Sequence, residues 1–196
     1  MKIGLVPGSF KPYHIGHDDL IRIAAKENDR VLVYSSQIDR EDIKGGIMIQ
    51  IMNKFIKPTL PKNVQVINVG VPVGALYQEL EYAEENNSED VYTIYSDAVD
   101  IKKYNKKTMR KYSPKLVSNN QILTRGVERG VETTDVSGTK MRAYLKNGDT
   151  KNFAQFLPMS LRPHSAEIIA MFKNEMSENL LKVYLKEMLK ECKILF

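Results

Sequence analysis

The sequence predicts an α/β protein built on a parallel sheet, with helices on both faces and a helical extension at the C-terminal end. Three observations carry this reading. Short apolar runs alternate with stretches in which apolar residues recur at helical spacing, the pattern of repeated βαβ units. Of 196 residues, 42% are hydrophobic and 27% charged, enough for a sizeable core and unlike a disordered or low-complexity chain. No internal repeat and no Gly/Ser-rich linker divides the chain, so we expect one domain over residues 1–150 and a helical extension over 151–196 packed on it.

Taken in order, Ile3 to Val6 is a buried strand that ends at Pro7-Gly8, a turn pair. Leu20, Ile21, Ile23, Ala24 and Ala25 then supply a helical face, with Asp18 and Asp19 in the first turn, where the helix dipole favours acids. Val31 to Tyr34 reads as the second strand. Ile47, Ile51, Met52 and Phe55 recur at helical spacing, and this helix should stop near Lys57 because Pro58 disfavours its continuation. Val64 to Val69 is the third strand, Ala75 to Glu85 a helix with an acidic outer face, and Val91 to Tyr95 the fourth strand.

The second half is less regular. Ile101 to Tyr112 reads as a basic helix, Gln121 to Leu123 as a short edge strand, and Arg125 to Asp135 as an irregular loop with two glycines. Ser137 to Asn147 should be a helix with Gly148 just past its end as the C-cap. From Pro163 onward the pattern is helical again. Leu181, Leu185, Met188, Cys192 and Leu195 share one stripe, which can dock on the protein's own core or form a dimer contact.

The formal net charge of +5 is concentrated. Residues 101–115 hold Lys102, Lys103, Lys106, Lys107, Arg110, Lys111 and Lys115 with no acid, a local +7 that leaves the rest of the chain at −2. A basic protein raises the question of a nucleic-acid partner, but one patch on an otherwise slightly acidic chain argues against it and turns attention to a local anionic ligand. The patch is either a solvated face or a guide for anionic substrates. No apolar stretch approaches the roughly 20 residues that span a bilayer, and the first run is too short for a signal-peptide core, so no membrane partner is expected. The single Cys192 cannot form an internal disulfide, which fits a reducing, cytoplasmic setting.

The most informative segment is Gly8-Ser9-Phe10-Lys11-Pro12-Tyr13-His14-Ile15-Gly16-His17, between the first strand and the first helix. In an open parallel sheet, ligands bind beyond the carboxyl ends of strands. Gly8 lets backbone approach a ligand closely, and the helix starting near Ile15 turns N–H groups and its positive dipole end toward an anion. His14 and His17, three apart, can project from that first turn toward the same loop. A pair of His residues at this spacing also suits Zn²⁺, but no third ligand stands nearby, and either ring can be an ordinary hydrogen-bonded side chain.

A second segment, Asp135-Val136-Ser137-Gly138-Thr139-Lys140-Met141-Arg142, opens a helix about 120 residues later. Its hydroxyls at Ser137 and Thr139, the flexible Gly138 and the cations Lys140 and Arg142 suit a phosphate cradle, while a plain helix cap followed by solvated cations explains the same residues. Tyr95-Ser96-Asp97 ends the fourth strand; Asp97 can also cap the next segment of chain. Arg40 and Lys44, after the second strand, are further cations without a motif.

The ten residues from Gly8 to His17 resemble the GxFxPxHxGH signature of the HxGH nucleotidylyltransferase superfamily, which includes nicotinamide-mononucleotide and pantetheine-phosphate adenylyltransferases and small cytidylyltransferases. Ser137 to Arg142 is similar to the family's second signature, the ISSTxxR or SGTxxR segment. The resemblance implies a Rossmann-like sheet and transfer of an NMP group from an NTP to a phosphorylated acceptor, with release of pyrophosphate. It implies that His14 and His17 contact NTP phosphates, that Ser137, Gly138, Thr139 and Lys140 bind phosphates, and that Arg142 grips the departing β/γ-phosphates. Gly8, Ser9, Phe10 and Gly16 complete the nucleotide-binding set, and Ser96 and Asp97 lie where the family seats base or ribose. Lys11 stands where many members have Asp or Gln, a cation in reach of the triphosphate or acceptor phosphate.

The reaction so implied is an in-line displacement in which a phosphate oxygen of the acceptor attacks the α-phosphorus, and catalysis is positioning and charge stabilisation. Mg²⁺ would be held chiefly by the NTP phosphates, with no protein metal ligand. Ser137-Gly138-Thr139-Lys140-Met141-Arg142 looks closer to archaeal-type nicotinamide-mononucleotide adenylyltransferases than to small cytidylyltransferases, whose second motif more often reads GxSTT. That favours ATP with a nicotinamide-mononucleotide-like acceptor over cytidylyl transfer to an alcohol or sugar phosphate. His14-Ile15-Gly16-His17 also spells the HIGH motif of class I aminoacyl-tRNA synthetases, but in 196 residues we expect no room for an anticodon-reading domain, and the second motif lacks the KMSKS order. A non-catalytic nucleotide-binding module is the remaining alternative.

Overall fold

The computed structural model describes residues 1–174. Five strands, β1 (Lys2–Gly8), β2 (Arg30–Ser36), β3 (Val64–Val69), β4 (Val91–Asp97) and β5 (Ile122–Val127), form one sheet. All four neighbouring pairs are parallel, in the order β3-β2-β1-β4-β5. The chain builds outward from β1 to β3, then returns across β1 to add β4 and β5. The direction of winding therefore reverses between β1 and β4, the crevice at which such sheets bind ligands.

Side-chain alternation divides the core into two layers. Leu5 sits beside Leu32 and Ile94 in register and shares one apolar cluster with them, while Val6 and Val33, one residue on, belong to the other. The Leu5 layer is covered by α3 (Pro72–Glu85) and by two short helices, α4 (Lys106–Met109) and α5 (Pro114–Ser118), through Leu76, Leu80, Met109 and Leu116. The Val6 layer is covered by α1 (Ile15–Glu27), α2 (Gly45–Ile51), α6 (Gly138–Lys146) and α7 (Thr150–Gln155), and by a helix over residues 165–174. Phe153, Leu157, Leu161, Ile168 and Phe172 enter this same layer, so the described part of the extension is built into the main core. Among the described residues no helix is long and apolar enough to cross a membrane. The apolar stripe from Leu181 to Leu195, with Cys192, lies outside the described residues.

Several elements differ from expectation. The second helix ends near Lys57 but not as one α-helix: the α-form stops at Ile51, a π-turn follows over Met52–Ile56 with Lys57 as its C-cap, and a 3₁₀ turn over Lys57–Thr59 carries Pro58 in its first turn. The basic stretch is broken into a 3₁₀ turn (Asp100–Lys103), α4 and α5. A continuous helix would stack like charges such as Lys103/Lys107 and Lys107/Lys111 four apart, and Asn105 instead starts α4 anew by accepting the Thr108 N–H at 3.0 Å. β5 runs to Val127 rather than Leu123, claiming the start of the segment that reads as a loop; its polar residues suit an edge strand.

Candidate active site

A cleft of about 370 Å³ opens at the carboxyl ends of β1 and β4, at the winding reversal. It is lined by Gly8, Ser9, Phe10, Lys11, His14, Gly16 and His17 from the first segment and by Ser137, Gly138, Thr139 and Arg142 from the second. Ser96 and Asp97 contribute from the end of β4. Of the residues in the two signature segments expected to bind nucleotide, Lys140 is the one the structure keeps outside: its Nζ lies over the Phe156 ring, 5.1 Å from the centroid, and its backbone N–H goes to Ser137 Oγ at 3.2 Å.

The first segment is shaped by its own packing. Phe10 adopts a left-handed φ of 53° and is buried, and a Cβ at Gly8 would lie 2.7 Å from its ring. The space on the Cβ side of Gly8 is thus taken by Phe10, while Gly8 itself still borders the cleft. Phe10 meets the His17 ring edge-on at 5.0 Å, which stacks on His14 with centroids 3.6 Å apart. His14 precedes α1 in extended backbone and its carbonyl accepts from the N–H groups of His17 and Asp18. Of the N–H groups expected to face an anion, that of Ile15 is already donated to Phe156 at 2.8 Å, whereas Gly16 borders the cleft. The two acids of this turn also serve packing: Asp18 accepts from Tyr13 and Arg22, and Asp19 accepts from the backbone and hydroxyl of Thr134.

Both imidazoles are neutral here. Burial lowers the His14 pKa to about 3, helped by Arg129, and burial followed by the adjacent His14 pushes His17 well below its ordinary value. The Nδ1 atoms of both rings are buried without a hydrogen-bond partner, an unsatisfied pair that a ligand oxygen or hydroxyl could meet. The histidines therefore offer hydrogen bonds, and the positive charge comes from elsewhere.

That charge comes from Lys11, Arg40, Arg129 and Arg142 on the cleft wall, against the acids Asp97 and Asp100. Lys11 is 1% exposed, donates to the Ser36 carbonyl, and has its pKa lowered to about 8 by burial, with Asp39 opposing the shift. Asp97 does two jobs: Oδ1 caps the next turn through the N–H groups of Val99 and Asp100, and Oδ2 accepts from Arg129 at 3.1 Å. Arg142 is 8% exposed and its guanidinium donates to three oxygens: Glu41 Oε2 at 2.7 Å, Lys11 O at 2.9 Å and Thr139 Oγ1 at 3.0 Å. Gly138 fits closely at this junction: a Cβ there would lie 3.2 Å from Lys11 O and 3.1 Å from Arg142 Nη1, tighter than ordinary contact. Ser137 caps α6, as expected.

Sequence reasoning did not find Arg129, Thr133, Thr134 or Glu41. They lie on loops, and no local pattern marks which loop residues a fold will carry to the cleft. Lys44 instead pairs with Asp39 at 2.8 Å and does not line the cleft. Nor does any of the basic residues from Lys102 to Lys115, although their stretch begins beside Asp100 on the cleft wall.

No protein-family model matches the chain, and no curated protein matches it in sequence. Solved structures do match in fold. A protein from Vibrio parahaemolyticus assigned as a nicotinate-nucleotide adenylyltransferase superposes with a TM-score of 0.57 at 19% identity, over 84% of this chain and 98% of that one. A bifunctional NMN adenylyltransferase/ADP-ribose pyrophosphatase from Francisella tularensis gives 0.55 at 12% identity, over 97% of this chain and 56% of that one. At these identities the likeness is one of fold, the Rossmann-like α/β architecture.

Proposed function

We propose that this chain is a nucleotidyltransferase of the HxGH superfamily that transfers AMP from ATP to a phosphorylated acceptor such as nicotinamide mononucleotide and releases pyrophosphate, in a cytoplasmic setting. The observation that carries the proposal is the convergence of Gly8–His17 and Ser137–Arg142, far apart in sequence, on one cleft at the winding reversal of the sheet. The adenylyltransferase assignments of the two fold neighbours support the adenylyl form.

On this reading an oxygen of the acceptor phosphate bonds to the α-phosphorus of ATP as the bond from that phosphorus to the β-bridging oxygen breaks, and pyrophosphate carries the electron pair away. No covalent enzyme intermediate is required. His14 and His17 donate hydrogen bonds to phosphate oxygens, and Arg142 with Thr139 takes the β- and γ-phosphates. Lys11 faces the triphosphate or the acceptor phosphate, and Ser96 and Asp97 meet base or ribose. Preorganised donors of this kind act where charge develops. Mg²⁺ would accompany the NTP phosphates and neutralise part of their charge, and no step is assigned to a protein-bound ion.

A pyrophosphate-release screen of four NTPs against nicotinamide mononucleotide, nicotinate mononucleotide and a panel of alcohol and sugar phosphates tests the proposal. Turnover with ATP and a mononucleotide is expected. Turnover with CTP and an alcohol phosphate would replace the adenylyl form by the cytidylyl one, and no release with any pair would leave a nucleotide-binding module.

A further inference from the structure

Glu41 lies outside both signature segments, yet its carboxylate accepts the shortest of the three hydrogen bonds that the Arg142 guanidinium makes, 2.7 Å from Nε. An arginine has five N–H donors in a rigid fork. Here three are committed, to Glu41, Lys11 and Thr139, which leaves one hydrogen on Nη1 and one on Nη2 for a ligand. A guanidinium fixed from three sides meets an anion with little further loss of freedom.

The turn that carries Glu41 is held by its own hydrogen bonds. Glu41 has a left-handed φ of 52°, a conformation that glycine or asparagine would adopt with less strain. Arg40 and Ile43 bond to each other across the turn at 2.9 and 3.0 Å, and the Asp39 carboxylate accepts from Gly45 N and Lys44 Nζ at its base. The same turn places Arg40 on the cleft wall. Glu41 itself is 59% exposed and does not line the cleft, so it acts through Arg142 and not on a ligand.

We infer that Glu41 is a positioning residue for the polyphosphate group, holding Arg142 in the orientation that binds it. The inference rests on the nucleotidyl-transfer reading of the cleft. It makes a prediction opposite in sign to simple electrostatics: removing a negative charge near an anion site should strengthen anion binding, whereas removing a positioning contact should weaken it.

The test is calorimetric binding of inorganic tripolyphosphate to the full chain and to E41A, E41Q, R142A and the double variant E41A/R142A. E41A should bind about three- to tenfold more weakly, the scale of ordering one long side chain on binding. E41Q, which keeps an oxygen acceptor for Nε, should bind at least as well as the unchanged chain. In the R142A background, E41A should have no further effect. Unchanged or tighter binding by E41A, or an equal loss from E41A when Arg142 is absent, would overturn the inference while leaving the cleft reading intact, provided that R142A itself weakens binding. Failure of the unchanged protein to bind tripolyphosphate would overturn both.

Discussion

Arg142 Nη1 donates to the main-chain oxygen of Lys11 at 2.9 Å, a bond across 131 residues that joins the start of the chain to its last cleft-forming helix. The contact is buried and belongs equally to folding and to the site. Replacing Arg142 by Ala should cost about 1–3 kcal/mol of stability, because a buried carbonyl and the Thr139 hydroxyl lose their donor. Arg142→Lys should recover little of this, since one ammonium cannot reach three oxygens set for a planar fork. Urea unfolding monitored by circular dichroism checks both; a Lys variant as stable as the unchanged protein would contradict the account.

The buried histidines make acid lability predictable. His14 has its pKa lowered to about 3 from an ordinary 6.5, and His17 is also well below, so between these limits the unfolded chain binds protons that the folded chain refuses. Stability then rises with pH and is lost as pH falls below about 6.5, by up to about 1.4 kcal/mol per pH unit for each histidine. The window from pH 6.5 to 5 lies above the carboxylate range, so the slope there reports the histidines. The double variant His14→Asn/His17→Asn should flatten it, and an unchanged slope would show that the rings are not the groups responsible.

These two pairings differ in how far the sequence reveals them. The ten residues from Gly8 to His17, the cap at Ser137 and the strand–helix alternation are local patterns, and each appears where its spacing places it. The neutral state of the histidines is not local, because it comes from burial by Phe10 and its neighbours. Glu41 and Arg129 are invisible for the same reason: only the closed fold sets one beside Arg142 and the other beside Asp97. The break in the basic stretch was written in its like-charge spacing and in Asn105, which periodicity alone does not weigh.

The nucleotide can be identified without knowing the acceptor. A ligand that binds only the folded state raises Tm in proportion to the logarithm of its concentration over Kd. ATP should raise Tm more than CTP at equal concentration, measured by differential scanning fluorimetry. A larger shift with CTP would favour the cytidylyl alternative.

The basic stretch from Lys102 to Lys115 begins next to Asp100 at the cleft wall but does not line the cleft, and it is either a solvated face or a guide for anionic substrates. Reversing Lys106 and Lys107, both exposed, to Glu should leave stability within about 0.5 kcal/mol. If the stretch steers substrate, the association rate for ATP, measured by stopped flow at low salt, falls and its salt dependence flattens. An unchanged rate would make the stretch a solvated face.

Nucleotidyl transfer in this cleft, with the two histidines as charge-stabilising donors as proposed, is tested most directly by His17→Ala. His17 Nδ1 is buried without a partner in the first turn of α1, beside the cleft, and a contact that strengthens as charge moves to the leaving pyrophosphate lowers kcat when removed. Steady-state pyrophosphate release with ATP and nicotinamide mononucleotide should show kcat reduced on the order of 10²-fold or more, with KM for ATP changed far less. A His17→Ala protein with nearly normal kcat would show that the ring only packs against Phe10 and His14, and would contradict the account.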